Sequence, residues 1–378
     1  MTKKFISYGR QWIDKADIKA VLEVLKSDWL TQGPMVERFE KAVAKYCGAR
    51  YGVAFSSGTA ALYSAYLATG IKSGDEAITS PLTFAATSNM LAMLGAIPVF
   101  ADVNEDDLTI DPKEIKKKIT KKTKAIVAID FAGHPCEYDK ILGIAKENNL
   151  LLIEDACHAL GAEYKGKKIG SFADMTILSF HPVKHITTGE GGMVLTNNKN
   201  FYEKLRIIRN HGIEKKPKKG GWYYEIAEPS FNFRITDFQC ALGLSQLKKI
   251  NKFLKKRREL AKKYQKELAG IEGLKLPVEK NYTKPAWHLY PVRVAGDRRK
   301  FFDYLTKNRI GAQVHYMPLH MHPFYQKKFG YKERDFPVAE GYYKKAVTLP
   351  LFYGLTQKDF EKVIKIIKNY ERKKVSSL

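Results

Sequence analysis

Cysteine is scarce in this chain. Four occur in 378 residues, at 47, 136, 157 and 240, and no two form a C-x-x-C pair. That excludes a disulfide scaffold and fits reduced thiols in a cytoplasmic protein. Membrane-like runs are lacking as well. Residues 51–71 and 77–101 carry no charge, but the first contains Ser56, Ser57, Gly58 and Thr59 and the second contains Pro81, Asn89 and Pro98. Strand–turn–helix units of a buried core account for both better than bilayer spans. The opening Met1-Thr-Lys-Lys-Phe leads into no apolar segment of the kind a secretory signal needs. Acid is in short supply, with 40 Asp+Glu against 65 Lys+Arg and a formal charge of +25. There is nevertheless no zinc-finger spacing, no aromatic RNA-reading strand and no P-loop, so no nucleic-acid partner is expected.

The charge is unevenly placed. Residues 1–200 balance at +2 and residues 201–378 at +23, and the stretch 248–263 holds nine basic side chains and one acid. That stretch reads as a solvated helix face. Hydrophobic residues make up 44% and aromatics 12%, enough for a large core.

Periodicity predicts alternating helices and strands through the first two-thirds. Helices are expected at 14–26, with Val21, Leu22 and Leu25 on one face, and at 35–46, 60–67, 85–94 and 112–119. Strands are expected at 51–55, 76–79, 97–100, 125–129, 150–153 and 176–180. This is an α/β pattern with a mostly parallel sheet, whose ligands bind outside the carboxyl ends of the strands. A smaller unit is expected from residue 246. It opens with a basic helix over 246–269 and continues with strands at 288–294 and 311–316, a helix near 298–308 and a final helix at 359–370. Its Lys-rich tail is expected to end in disorder.

The polar candidates fall at the predicted strand ends. Lys184 follows an apolar strand and precedes a Gly-rich turn. Lysine amines become nucleophiles that form Schiff bases when their surroundings lower the pKa. Asp155 ends the run from Leu150, where a buried carboxylate needs a partner such as a protonated ring nitrogen, or can cap a helix beginning at Ala156. Ser57-Gly-Thr-Ala60 joins a strand to a helix, a setting that favours an anion, and Ser179 offers a hydroxyl. Phe84 offers a flat face, or is simply core. His134, His315, His320 and His322 lack the acidic neighbours of a metal site, and no metal is expected. Gly189-Glu-Gly-Gly192 reads as a tight turn.

Leu30-Thr-Gln-Gly-Pro34, Ser57-Gly-Thr-Ala-Ala61, Glu154-Asp-Ala-Cys-His158, Ser179–Gly192 and Phe231-Asn-Phe-Arg-Ile235 together resemble the DegT/StrS family of sugar-nucleotide aminotransferases, which use pyridoxal 5'-phosphate (PLP). The likeness runs from about Tyr8 to the final helix. It implies the type I fold of PLP-dependent transferases, with a large mixed-sheet domain over 1–245 and a smaller C-terminal α+β domain over 246–378. Within the family, Asn232–Leu247 and Ala312-Gln-Val-His-Tyr316 look most like the transaminases of pseudaminic acid biosynthesis. Those move an amino group from L-glutamate to C4 of a UDP-linked 4-keto-6-deoxy-N-acetylhexosamine.

The resemblance implies a role for each matching residue. Lys184 and Asp155 are catalytic, and both bind the cofactor with Gly58, Thr59, Phe84, His158 and Ser179. Asn232 reaches the phosphate of the neighbouring subunit of a homodimer. Tyr8, Trp29, Leu30, Thr31, Arg234, Gln313, Val314, His315 and Tyr316 line the substrate side. A lysine at 184 sets the chain apart from the dehydratase branch. An aminotransferase for another nucleotide-linked keto sugar, a different type I PLP enzyme and a non-catalytic regulator remain as alternatives.

Overall fold

The apolar runs of the first 200 residues become seven strands in the computed structural model, which describes residues 5–375. They are β1 (Tyr51–Phe55), β2 (Glu76–Thr79), β3 (Ile97–Phe100), β4 (Thr123–Ile129), β5 (Leu151–Asp155), β6 (Met175–Ser179) and β7 (Gly192–Thr196). They form one sheet in the order β1-β7-β6-β5-β4-β2-β3. β7 runs antiparallel to β1 and β6, and every other pairing is parallel. Successive residues feed opposite faces. Ala54, Ile126, Ala128 and Leu152 join one core, and Val53, Phe55, Ala125, Val127 and Ile153 join the other. Burial on both faces explains why these strands read as unbroken apolar runs, each fully buried large side chain contributing about 1.5–3 kcal/mol.

The helices α1 (Lys15–Leu25), α2 (Pro34–Cys47), α3 (Gly58–Ala68), α4 (Ala86–Met93), α5 (Pro112–Lys118), α6 (Tyr138–Glu147), α7 (Lys199–Ile208), α8 (Asp237–Leu247) and α9 (Ile250–Leu268) follow. The carboxyl ends of β1, β2, β4, β5 and β6 open on one edge of the sheet. Because β7 runs the other way, its first residue, Gly192, lies there too. A Cβ on Gly192 would stand 2.4 Å from the Ser57 carbonyl oxygen, so only glycine lets β7 pass behind the turn that starts α3.

A second core gathers Tyr264, Trp287, Tyr290, Val292, Phe301, Val347 and Phe360, and draws in Ile6 from the other end of the chain. Its sheet is β8 (Leu274–Lys275), β9 (Tyr290–Val294) and β10 (Ala346–Leu349), antiparallel in that order. α9 serves both cores: Ile250, Phe253 and Leu254 pack on the sheet side, and Leu260, Ala261, Tyr264 and Leu268 pack on the second core.

Four local expectations fail. No strand forms over 311–316, because the segment divides its bonds between two partners. Gly311 N–H donates to the Ile6 carbonyl, while Gln313 exchanges bonds with Thr348, so no ladder continues. No helix starts at Ala156, where the chain turns through 157–161 instead. On α1 the buried residues are Asp17 and Val24, with Asp17 accepting from Gln246 and Lys249, so Leu22 and Leu25 face outward. The basic helix starts at Ile250 and not at 246, since Lys248 and Lys249 separate α8 from α9, and its basic run is not wholly solvated, because Arg257 is buried. The tail's last residues, 376–378, lie outside the described residues.

Gly243 sets how closely α8 lies on the segment carrying Lys184. An added Cβ would meet Phe39 at 2.6 Å and the Thr188 methyl at 2.8 Å. Helix propensity alone favours alanine by about 1 kcal/mol, but overpacking costs about 1–3 kcal/mol. Gly243→Ala should therefore lower stability in denaturant titrations. An equal or higher unfolding midpoint would contradict this packing.

Candidate functional site

A crevice of about 420 Å³ opens at the carboxyl edge of the large sheet. It brings together Tyr8, Gly58, Thr59, Phe84, Asp155, His158, Ser179, Lys184, His315 and Tyr316, which are far apart in sequence. A larger surface cleft of about 660 Å³ beside Arg293 and Tyr342 contains none of them, so size does not locate the chemistry here.

Lys184 lies in a loop closed at its base by Phe180. The Phe180 N–H donates to the Gly191 carbonyl, and the Phe180 carbonyl accepts from Thr188 N–H and the Thr187 hydroxyl. Lys184 keeps some surface open to the crevice, yet its amine is enclosed. Burial holds its pKa below the ordinary lysine value, against the pull of Cys157 and Asp155 and with help from Arg257. The amine makes no ion pair among the described residues.

Asp155, last residue of β5, is buried. Its Oδ2 accepts from the Thr87 hydroxyl at 2.7 Å, and its Oδ1 accepts from Cys157 N–H at 3.2 Å. The Thr87 hydroxyl also meets that of Thr83 at 3.1 Å. The helix-cap reading of Asp155 thus becomes a cap on a turn.

A row of imidazoles closes the deep side. His158 and His288 lie 4.5 Å apart between ring centroids, His185 and His288 lie 5.7 Å apart, and the Tyr316 hydroxyl is 3.3 Å from His158 Nε2. Burial, followed by nearby positive charge, depresses the pKa of His158, His185 and His288. His315, bonded through Nδ1 to the Thr348 hydroxyl, is pushed down to about 4. All four are therefore neutral near pH 7, and a positive lysine among them would be poorly solvated.

The opposite wall is the start of α3. The Ser57 hydroxyl caps the Ala60 N–H at 3.1 Å, which leaves the N–H groups of Gly58 and Thr59 at the helix N-terminus. Ser179 stands beside Gly58. Backbone donors and a helix dipole suit an anionic group. Two buried imidazole nitrogens, Nδ1 of His158 and Nδ1 of His288, have no protein partner. An enclosed amine, a buried carboxylate, an anion cradle and unpartnered ring nitrogens together fit a phosphorylated pyridine aldehyde.

Several candidates lie outside this crevice. Trp29 and Leu30 are exposed, and Thr31 bridges to Thr236. Asn232 bridges to Asn210, whose side chain also takes the Arg234 guanidinium. Gln313 is exposed and Val314 half-buried. Among the metal candidates, His320 is bonded to Glu340 at 3.0 Å and His134 meets the Thr283 hydroxyl at 3.2 Å. No group of three metal-ligating side chains occurs among the described residues. Nor is any helix there long and apolar enough to cross a membrane.

Sequence reasoning missed Thr87 and His288. Thr87 carried a weak signal, since Thr83 and Thr87 are four residues apart at the head of α4. His288 carried none, because only docking of the second core places it beside His158.

Known proteins agree with this architecture. Residues 11–368 match the model of the DegT/DnrJ/EryC1/StrS aminotransferase family. The spore coat polysaccharide biosynthesis protein SpsC of Bacillus subtilis is 42% identical, over 97% of both chains. The UDP-4-amino-4,6-dideoxy-N-acetyl-beta-L-altrosamine transaminase of Campylobacter jejuni is 41% identical, over 94% of both. Among solved structures, Helicobacter pylori PseC, an aminotransferase of pseudaminic acid biosynthesis, superposes with a TM-score of 0.91 at 37% identity, covering 98% of this chain and 100% of its own. A sugar aminotransferase of Streptococcus pneumoniae, Spr1654, matches in its PLP-form with a TM-score of 0.92 at 30% identity, covering 98% of this chain and 99% of that one. The chain thus belongs to the DegT/DnrJ/EryC1/StrS aminotransferase family, PLP-dependent enzymes of fold type I.

Proposed function

We propose that this aminotransferase moves an amino group from L-glutamate to C4 of a UDP-linked 4-keto-6-deoxy-N-acetylhexosamine, as in pseudaminic acid biosynthesis. The observation that carries the reading is the enclosed, unpaired amine of Lys184 facing the buried carboxylate of Asp155 in one crevice. The similarity to the Campylobacter transaminase supports the substrate class. The comparable similarity to SpsC favours, as a second reading, another nucleotide-linked keto sugar.

When bound, PLP supplies a carbonyl for the amine and an electron sink for the carbanion. In this reading Gly58, Thr59 and Ser179 would hold its phosphate, Asp155 would keep its ring nitrogen protonated, and Phe84 would cover a ring face. His158, neutral and bonded to Tyr316, would flank the ring. Lys184 Nζ takes the proton from Cα of the donor in its neutral form and later, as the ammonium, delivers one to C4 of the sugar. A depressed lysine pKa suits both duties, because it brings the base and the acid forms into closer balance near neutral pH. Two half-reactions on one cofactor give ping-pong kinetics.

Trp29 and Leu30 lie outside the crevice, and α1 adds exposed Ile18, Leu22 and Leu25. An outward apolar helix face of this kind suits burial against a second copy. The proposal therefore includes a homodimer in which Asn232 and Arg234 of one subunit, with Trp29 to Thr31 and Gln313 to Tyr316, complete a shared site.

Two outcomes test it. Lys184→Ala should lose the visible absorbance that bound PLP acquires on the lysine and should lower amino-sugar formation by about 10²–10⁴-fold or more. An unchanged spectrum would remove Lys184 from the reaction. Lys184→Ala and Asn232→Ala chains, each inactive alone, should regain activity when mixed under subunit exchange, because a mixed dimer holds one native site. Exchange without recovery would contradict a shared site.

A further inference from the structure

The basic stretch 248–263 contains one cation that is not on the surface. Arg257 is 3% exposed, and no carboxylate pairs with it among the described residues. Its Nη1 donates to the carbonyls of Leu351 at 2.8 Å and of Trp287 and His288 at 3.2 Å. Its Nη2 reaches the carbonyl of Val183, the residue before Lys184, at 3.5 Å, the weakest of the four contacts. Its Nε has no partner. A narrow cavity of about 10 Å³ behind the lysine loop is lined by both Lys184 and Arg257. Burying a guanidinium without a counter-ion is costly, and four carbonyls compensate it by dipoles alone. Even lowered to about 10 by burial, its pKa leaves it charged at neutral pH.

We propose that Arg257 is a positioning residue for the reaction: a fixed, unneutralised positive charge behind Lys184 that adds to burial in favouring the neutral amine while tying α9 to the lysine loop. The proposal rests on Lys184 being the reactive lysine, which the Lys184→Ala spectrum tests separately. Of the groups facing that amine, Asp155 and Cys157 favour its protonated form and Arg257 disfavours it. The remaining titratable neighbours around the two cavities are His158, His185, His288 and His315, all buried and depressed in pKa, and the phenols of Tyr8, Tyr316 and Tyr353, with Arg10, His181 and Glu190 at the margins. Arg257 is the one fully buried permanent charge in this set.

The test uses the full chain loaded with pyridoxamine phosphate, which leaves Lys184 free. Acylation of Lys184 by an amine-selective reagent is followed against pH by peptide mass spectrometry, alongside thermal unfolding. Arg257→Gln should raise the pH of half-reaction by about half a unit or more, through the loss of one buried positive charge near the amine. Arg257→Lys keeps the charge but reaches fewer carbonyls, so its unfolding midpoint should fall while the Lys184 profile stays within about 0.3 units of the parent. An unmoved profile in Arg257→Gln would overturn the proposal and leave Arg257 as a structural clamp. Should Arg257→Gln fail to fold, Arg257→Met, which keeps the apolar stem and removes the charge, takes its place: a raised profile supports the charge, and an unmoved profile refutes it.

Discussion

One amine taken out of water without a carboxylate to neutralise it is the constraint around which this molecule is arranged. Lys184 is enclosed among neutral imidazoles, a tyrosine, Cys157 and Asp155, and burial, helped by the Arg257 guanidinium, disfavours its charged form against the pull of Cys157 and Asp155. Each of those groups depends on a different part of the chain. His158 follows β5, His185 lies in the lysine loop itself, His288 precedes β9 and Arg257 comes from the middle of α9. The chemistry therefore requires both hydrophobic cores to be assembled, and α9, which packs into each, is the element that couples them.

The sheet supplies the other half of the geometry. Six strands of one direction deliver their carboxyl ends to one edge, and the reversed β7 brings Gly192 against the start of α3. The anion cradle at the start of α3 and the carboxylate of Asp155 at the end of β5 then stand on the same edge of a rigid scaffold, where position costs little further ordering. Thr87 adds orientation by donating to Asp155, and its own place is set by Thr83 on the same loop–helix unit.

Much of this was legible in the sequence for identifiable reasons. Strand β5 could be read because it is apolar and ends in an acid, and that fixes Asp155 at the sheet edge. The lysine loop could be read because Ser179 closes an apolar run and glycines follow. What escaped depended on contacts between distant segments. Arg257 sits in a run of nine basic residues and looks like its neighbours; only the docking of 287–288 and Leu351 on α9 shows that it points inward. On α1, hydrophobicity pointed to the wrong face. Asp17 is buried there because Gln246 and Lys249 bond it, and no periodicity rule anticipates a satisfied carboxylate. The excess charge likewise divides in two, most of it unrelated to the site and one member of it built into the site.

The central claim is that Lys184 carries the cofactor. Reducing the PLP-loaded protein with borohydride, digesting it and sequencing the modified peptide by mass spectrometry tests this most directly. The account predicts the reduced pyridoxyl-phosphate mass on Lys184, within the peptide that includes Pro182 and His185. The same mass on a different lysine, or on none, would contradict it.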